Sequence, residues 1–225
     1  MKLLVLAIAG ALFVIGGQQA TPVTGSVAGT VKLAVSKSTP LATSPYGRRG
    51  VAPKRTASGP DTRNVVIYIN GLKPATPPPP MRARIAQKDE QFIPQVTAVT
   101  VGSTVDFPND DPFFHNVFSL SKAATFDLGR YPSGSSRART FPRPGIVKVF
   151  CDIHSHMTAL IMVLDHPWFA IPNDDGSFTL PPVPAGEVTV VAWHERIGER
   201  QERVRVTPGQ TARLSFTIPV VEPVP

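Results

Sequence analysis

Proline and glycine interrupt this chain so frequently that long helices have little room to form. Its 225 residues include 25 prolines and 17 glycines, and the runs between them are short and rich in β-branched residues. Proline cannot continue a helix, whereas β-branched residues favour extended backbone. Short strands separated by turn residues are typical of sandwiches and barrels, so we predict an all-β fold. The predicted strands cover residues 26–34, 64–69, 95–101, 104–106, 116–119, 146–151, 159–164, 177–180, 187–194, 202–206 and 212–218.

The first residues have the pattern of a secretory signal peptide. One lysine precedes an apolar run from Leu3 to Ile15, and small and polar residues follow as far as Ala20. The run is shorter than a membrane span requires. We expect residues 1–20 to be removed on export, which leaves a periplasmic protein without a transmembrane span.

Most of the excess behind the formal net charge of +7 is spread along the chain, but a local basic cluster lies in and beside a Ser-, Thr- and Pro-rich segment, residues 36–62. We interpret this segment as a flexible, solvated loop; the alternative is docking to an acidic partner or a lipid surface. Nucleic acid is not an expected partner, because the cluster lacks a recognition-helix pattern. The basic residues are Arg48, Arg49, Lys54, Arg55 and Arg63.

Composition divides the remaining chain into three parts. Residues 21–75 contain the first predicted strands and the basic loop. Thr76 and the four prolines after it form a stiff spacer, which is a natural domain boundary. Residues 81–165 carry a dense series of strand and turn signals, and residues 166–225 follow with a different pattern of strand and turn residues.

Cys151, the one cysteine of the chain, begins the segment Cys151-Asp152-Ile153-His154-Ser155-His156-Met157. Without a second cysteine there is no internal disulfide, so the thiol is either a buried structural group or a metal ligand. A thiolate, an imidazole and a thioether together suit copper in both common oxidation states, and copper sites that carry electrons add a second histidine. His115, well upstream, is available for that role.

Two histidines of the loop compete for one ligand position. If His156 bound the metal, the adjacent Met157 would have difficulty reaching the axial position. We therefore select His154 and expect His156 at the solvent edge. Four phenylalanines flank His115 in the sequence, and we expect them to pack in the core and exclude water from the site. They are Phe107, Phe113, Phe114 and Phe118.

Residues 81–165 resemble the cupredoxins, the blue (type 1) copper proteins. The matching residues run from Phe107 through His115 to His154. The compact Cys-x2-His-x2-Met loop is most similar to that of the amicyanins, and its surroundings resemble exported methylamine-utilisation and plastocyanin-like proteins. The resemblance implies a Greek-key β-sandwich and one copper ion. The implied ligands are His115, Cys151, His154 and Met157, and Asn116 is implied to link the ligand loops by a hydrogen bond.

The C-terminal part resembles carboxypeptidase regulatory-like domains, which are small transthyretin-like sandwiches. Gly176-Ser177-Phe178-Thr179-Leu180 and the following Val183-Pro184-Ala185-Gly186 match the family pattern, although Val188 replaces the usual aromatic residue. Segments 29–31 and 64–69 could supply the first two strands of that domain. The cupredoxin would then be inserted into a discontinuous sandwich; the alternative is a tandem order, in which the early strands pair with the cupredoxin.

These features favour a periplasmic copper protein that transfers single electrons to or from a cytochrome or a dehydrogenase. The alternative is an envelope module that stores copper or delivers it to a copper acceptor. An enzyme is not expected. Multicopper oxidases need many more histidines than the five in this chain, and copper nitrite reductases need a histidine where Asp152 follows Cys151.

Overall fold

The computed structural model describes residues 23–37 and 62–222, and it confirms the all-β prediction. Apart from a single 3-10 turn at Thr62–Asn64, the described elements are strands. The strands are β1 (Thr24–Lys37), β2 (Val65–Asn70), β3 (Arg82–Arg84), β4 (Ala86–Lys88), β5 (Gln91–Ile93), β6 (Val96–Thr100), β7 (Thr104–Pro108), β8 (His115–Ser121), β9 (Ala124–Tyr131), β10 (Ser136–Thr140), β11 (Gly145–Phe150), β12 (Thr158–Leu164), β13 (Phe169–Ala170), β14 (Ser177–Thr179), β15 (Val183–Pro184), β16 (Gly186–His194), β17 (Gly198–Val206) and β18 (Thr211–Glu222).

Two regions that carry sequence predictions lie outside the described residues. They are the expected signal peptide, residues 1–20, and most of the basic segment 36–62. Within the part of the chain that the structure describes, no helix is long and apolar enough to cross a membrane.

The strands at the two ends of the described chain form one sandwich, here called the outer sandwich. Its first sheet has the order β14-β1-β15 with β18 also paired to β1, and its second has the order β13-β2-β16-β17. Side chains of both sheets, including Val27, Ile67 and Phe216, fill the space between them. Alternate residues of a strand point to opposite faces, so each sheet contributes one apolar face to this core.

The strands between them form a second sandwich, here called the inner sandwich. Its larger sheet has the order β6-β12-β11-β8-β9, and the smaller has the order β10-β7-β3. The core between them includes Phe107, Phe141 and Ile161, together with Cys151 and Met157. A separate hairpin, β4-β5, packs at the edge of this sandwich, where Phe92 enters the same core.

A third apolar cluster, the junction cluster, lies between the two sandwiches. Strand β12 sends Ile161 into the inner core, whereas Leu160 and Met162 enter the junction cluster. Strand β2 divides its side chains in the same way between the outer core and the junction cluster, where Val66 contacts the group that includes Trp193. Burial on both faces explains why these two strands read as continuous apolar runs instead of alternating ones.

The chain order of the pairings is informative about the domain arrangement. Strand β2 pairs with β13 and β16, which follow the inner sandwich in sequence, and β1 pairs with β14, β15 and β18. This is the connectivity that an inserted inner sandwich requires. The precise domain limits, and the identity of the outer sandwich as a transthyretin-like domain, stay predictions.

Candidate metal centre

Two neighbouring strands bring the first two predicted ligands together. His115 begins β8, and Cys151 directly follows β11. These strands are antiparallel neighbours, with Phe118 opposite Phe150, so the start of one lies beside the end of the other. The predicted pair therefore meets at one end of the larger inner sheet, although 35 residues separate the two positions in sequence.

The loop between β11 and β12 adds the third side chain. His115, Cys151 and His154 each place a ligating atom within 4.8 Å of the other two. The Sγ atom of Cys151 lies 3.7 Å from Nδ1 of His115, and the two histidine Nδ1 atoms are 3.1 Å apart. His115 and Cys151 are buried and His154 is partly buried. The group thus has two imidazole nitrogens and one sulfur facing a common point near the surface.

His115 has one ring nitrogen, Nδ1, near Cys151 and His154, and its other ring nitrogen, Nε2, hydrogen-bonds to Asp111. That hydrogen bond determines whether Nδ1 carries a proton or a lone pair. Nε2 of His115 lies 2.8 Å from Oδ2 of the buried Asp111. Burial raises the pKa of Asp111, but hydrogen bonds from His115 and from two backbone N–H groups outweigh burial, so the pKa lies below its ordinary value. An ionised carboxylate only accepts hydrogen bonds. Nε2 of His115 therefore donates, which leaves Nδ1 available as a ligand.

The fourth predicted ligand, Met157, is buried in the same core as Cys151, with 1 % of its surface exposed. Its backbone N–H donates to the carbonyl of His154 at 2.9 Å, which closes the loop. The structure therefore brings Met157 into the site region; its role as an axial ligand stays a prediction. Met162, by contrast, packs in the junction cluster.

His156 lies at the solvent edge beside the group, with its ring centroid 6.2 Å from that of His154. Its side chain is 61 % exposed and its Nε2 atom lies 3.4 Å from a carboxylate oxygen of Glu90. The other two histidines also lie apart from the site: His166 is buried beside Tyr68 and Trp168, and His194 ends β16.

A hydrogen bond links the two segments that hold the ligands. Oδ1 of Asn116 accepts the backbone N–H of Asp152 at 2.7 Å, which is the contact predicted for Asn116. The Asp152 carboxylate in turn pairs with Arg130 of β9 at 3.0 Å. These contacts hold the Cys151 loop against β8 and β9 independently of any bound ion.

Of the four phenylalanines expected in the core, Phe107 alone is fully buried there. Phe118 is half-buried with its ring centroid 5.8 Å from that of Phe150, and Phe113 and Phe114 are exposed, the latter by 54 %. They lie in the turn before β8 instead of in a strand, so no sheet face covers them. The Phe113 ring centroid lies 5.2 Å from that of His115 and 5.3 Å from that of His154. Phe113 therefore shields the site from the outside.

Sequence reasoning missed Asp111 and the β4-β5 hairpin as parts of the site. Asp111 accepts the backbone N–H groups of Asp89 and Glu90 in that hairpin as well as Nε2 of His115. An acidic pair, Asp110-Asp111, just before a predicted ligand was the available signal. It is a weak one, because exposed turns commonly contain aspartate.

Comparisons with known proteins give partial structural similarities alone. No protein-family model matches the chain, and no curated protein sequence matches it. A purple cupredoxin from Nitrosopumilus maritimus is 24 % identical over 36 % of this chain and 98 % of its own, with a TM-score of 0.33. A copper-containing nitrite reductase from Thermus scotoductus is 26 % identical over 43 % of this chain and 24 % of its own, with a TM-score of 0.35.

A mutant of amicyanin in its reduced form is 20 % identical over 36 % of this chain and 79 % of its own, with a TM-score of 0.34. At TM-scores this low, the similarities carry no weight in assigning a function. That assignment depends on the three side chains that converge at the end of the inner sandwich, His115, Cys151 and His154.

Proposed function

We propose that the chain is a periplasmic copper protein that transfers single electrons. One mononuclear ion would be held by His115, Cys151, His154 and Met157. The observation that carries this proposal is the convergence of two imidazole nitrogens and one thiol sulfur within 4.8 Å of one another.

The donor set fits copper better than other common metal ions. A thiolate and two imidazoles can serve both Cu(I) and Cu(II), and a thioether is a soft ligand of the kind that favours Cu(I). Zinc sites usually take thiolate, imidazole and carboxylate ligands, and the thioether of Met157 is not a ligand of that kind. Calcium and magnesium take oxygen ligands, of which this group has none. A bound copper ion would supply one-electron redox chemistry.

The residues around the group support a site of fixed geometry. Hydrogen bonds from outer groups orient metal ligands and tune their properties. Asp111 orients the ring of His115, and Asn116 holds the backbone at Asp152, next to Cys151. Such a site needs little rearrangement when the charge of a bound ion changes, which favours rapid electron transfer.

Exposed apolar side chains beside His154 support a docking face for a partner protein. Phe113, Phe114 and Ile153 are 38 %, 54 % and 39 % exposed and lie in the two segments that hold the ligands. Grouped apolar exposure commonly marks an interaction surface. We expect the partner to be a redox protein such as a cytochrome or a dehydrogenase.

A catalytic copper centre is not part of the proposal. Among residues 23–37 and 62–222, one group of three or more histidine, cysteine and acidic side chains is close enough to share a metal ion. That group is His115, Cys151 and His154, and we propose no second metal centre in this part of the chain.

Copper titration with visible and EPR spectroscopy tests the proposal. We expect Cu(II) to give an intense thiolate-to-copper absorption band in the wild-type protein, and no such band in Cys151→Ser or His154→Ala. His156→Ala is the matched control and should retain the band, because its side chain faces solvent. Wild-type protein without the band would contradict a thiolate-bound copper site.

Electrochemistry distinguishes electron transfer from copper delivery. An electron carrier should give a reversible one-electron wave and keep its ion in the presence of a moderate chelator. Rapid loss of Cu(I) to an acceptor, without a reversible wave, would favour delivery or storage instead.

A further inference from the structure

The tip of the β4-β5 hairpin has a backbone conformation that its residues do not favour. Lys88 pairs with Gln91, so Asp89 and Glu90 form a two-residue turn. Their φ angles are 53° and 54°, in the left-handed region that glycine and asparagine adopt most readily. Contacts from outside the turn can offset the cost of this conformation, which is larger for Glu90 than for Asp89.

The compensating group is the carboxylate of Asp111. The backbone N–H of Asp89 donates to its Oδ1 atom at 2.7 Å, and the N–H of Glu90 donates to its Oδ2 atom at 3.0 Å. Asp111 is 4 % exposed, so water does not compete freely for these oxygens. The two consecutive N–H groups act as a small anion-binding concavity.

The Asp111 backbone is also fixed. Its N–H donates to Oδ1 of Asn109 at 3.0 Å, and the Asn109 amide donates to the carbonyl of Phe113 at 2.7 Å. The N–H of Asp110 donates to the carbonyl of Gln87 in β4 at 2.9 Å. The carboxylate therefore has a defined position before any metal binds.

The remaining bond of this carboxylate goes to Nε2 of His115 at 2.8 Å. The hairpin tip also contacts the second ligand loop, because the Glu90 carboxylate lies 3.4 Å from Nε2 of His156. One two-residue turn is thus linked to the His115 segment through buried hydrogen bonds and to the Cys151 loop through an exposed contact between Glu90 and His156.

We propose that Asp111, held by the Asp89–Glu90 turn, is a positioning residue that keeps His115 in the Nε2–H tautomer and presents its Nδ1 lone pair to the copper ion. This inference rests on the proposed copper function for its purpose, but the tautomer itself is a property of the metal-free protein. The carboxylate acts through His115 and is not itself a ligand. Outer hydrogen bonds of this kind typically change metal affinity by about 10- to 100-fold.

Nitrogen-15 NMR of the metal-free wild-type protein is the first test. The expected spectrum shows His115 protonated at Nε2 and unprotonated at Nδ1, with slow exchange of the Nε2 proton because Asp111 and His115 are buried. A His115 ring protonated at Nδ1, or an even mixture of tautomers, would overturn the proposal. This measurement needs no variant and no copper.

The variant Asp111→Asn tests the same contact, with Asp110→Asn as the matched control. Asp110 is the exposed neighbour that pairs with Arg84, so its loss leaves the His115 contact intact. An asparagine at 111 cannot accept from His115 and from both turn N–H groups at once. We expect a mixed tautomer population and Cu(I) affinity about 10- to 100-fold weaker in Asp111→Asn, measured by chelator competition.

The outcomes separate the two proposals. Unchanged tautomer and copper affinity in Asp111→Asn would refute the positioning role while leaving the copper site in place. A wild-type protein that holds the Nε2–H tautomer but binds no copper would refute the proposed function instead. If Asp111→Asn does not fold, the wild-type spectrum still decides the question of the tautomer.

Discussion

Two methionines of the inner sandwich, Met157 and Met162, are both buried but have different neighbours. Met157 closes the ligand loop in the core that contains Cys151, whereas Met162 lies on β12 in the junction cluster. Their exposed fractions are 1 % and 5 %. Removing either side chain should reduce stability, but the proposed copper centre should be sensitive to Met157 alone.

We expect Met157→Leu to separate these two effects. Leucine has a similar volume, so the free energy of unfolding of the metal-free protein should fall by less than about 1.5 kcal/mol. The redox potential and the visible spectrum of the copper form should change, because the thioether is lost. Met162→Leu is the control and should leave both unchanged. A Met157→Leu protein with the spectrum and potential of the wild type would show that Met157 is packing alone.

The site was predictable where its residue types are rare and their spacing is short. Cys151 and His154 belong to one loop, and His115 was the upstream histidine that could join them. Asp111 was not predictable, because its role depends on a hairpin that reaches it from residues 89–90. Hydrogen bonds between distant segments leave no periodic pattern in the sequence.

At the scale of elements, β1 depends on close contact with its neighbours. An added Cβ atom at Gly29 would lie 2.0 Å from the carbonyl oxygen of Leu214 in β18 and 2.9 Å from the Phe178 ring. Neither neighbour can move freely, since the first is backbone and the second lies in the outer core. Glycine is therefore required by space at this position and not by backbone angle.

Gly29→Ala should accordingly destabilise the outer sandwich. We expect the free energy of unfolding to fall by about 3 kcal/mol, at the upper end of overpacking effects. The control Thr30→Ala removes only an exposed hydroxyl contact with Ser215 and should cost less than about 1 kcal/mol. Urea unfolding followed by circular dichroism measures both. Equal stability of the two variants would show that β1 and β18 separate easily.

An exposed strand is one of the elements that sequence patterns missed. Strand β10 (Ser136–Thr140) has no buried residue, so it lacks the alternation that identifies a half-buried strand. Its arginines instead lie over aromatic rings, with Arg137 above Tyr131 and Arg139 above Phe126. Strands β2 and β12 were found because their uninterrupted apolar runs are long for a turn-rich chain.

At the scale of the whole molecule, His166 lies where the chain passes from the inner to the outer sandwich. It is 5 % exposed, between the end of β12 and β13, and its ring stacks with those of Tyr68 and Trp168. Its Nδ1 atom has no hydrogen-bond partner within the described residues. Burial lowers the pKa of His166, against an opposing effect of Asp165. Glu199 accepts a hydrogen bond from the hydroxyl of Tyr68, one of the two rings that stack on His166.

The lowered pKa predicts a loss of stability in acid. Because the unfolded chain takes up a proton at His166 near its ordinary pKa of about 6.5 and the folded protein does so only at lower pH, the free energy of unfolding should fall as pH drops below that value. The fall should level off once pH lies below the folded-state pKa. Urea titrations of metal-free protein between neutral and mildly acidic pH measure this dependence.

His166→Gln is the matching variant, and its stability should fall less over the same range. Part of the dependence should remain, because burial also lowers the pKa of His194. Identical pH dependence in the variant and the wild type would show that His166 titrates alike in the folded and unfolded chains.

The parallel pairing of β1 with β18 has a consequence for the order in which the protein folds. Residues of β1 as early as Ser26 pair with residues from Thr211 onward, so this pairing joins segments that most of the chain separates in sequence. If the chain is exported from its N-terminal side, the strands of the inner sandwich all emerge before β18 does. Contacts between distant segments form late, since chain closure must precede them. The part that holds the proposed metal ligands can thus fold while β1 is still unpaired.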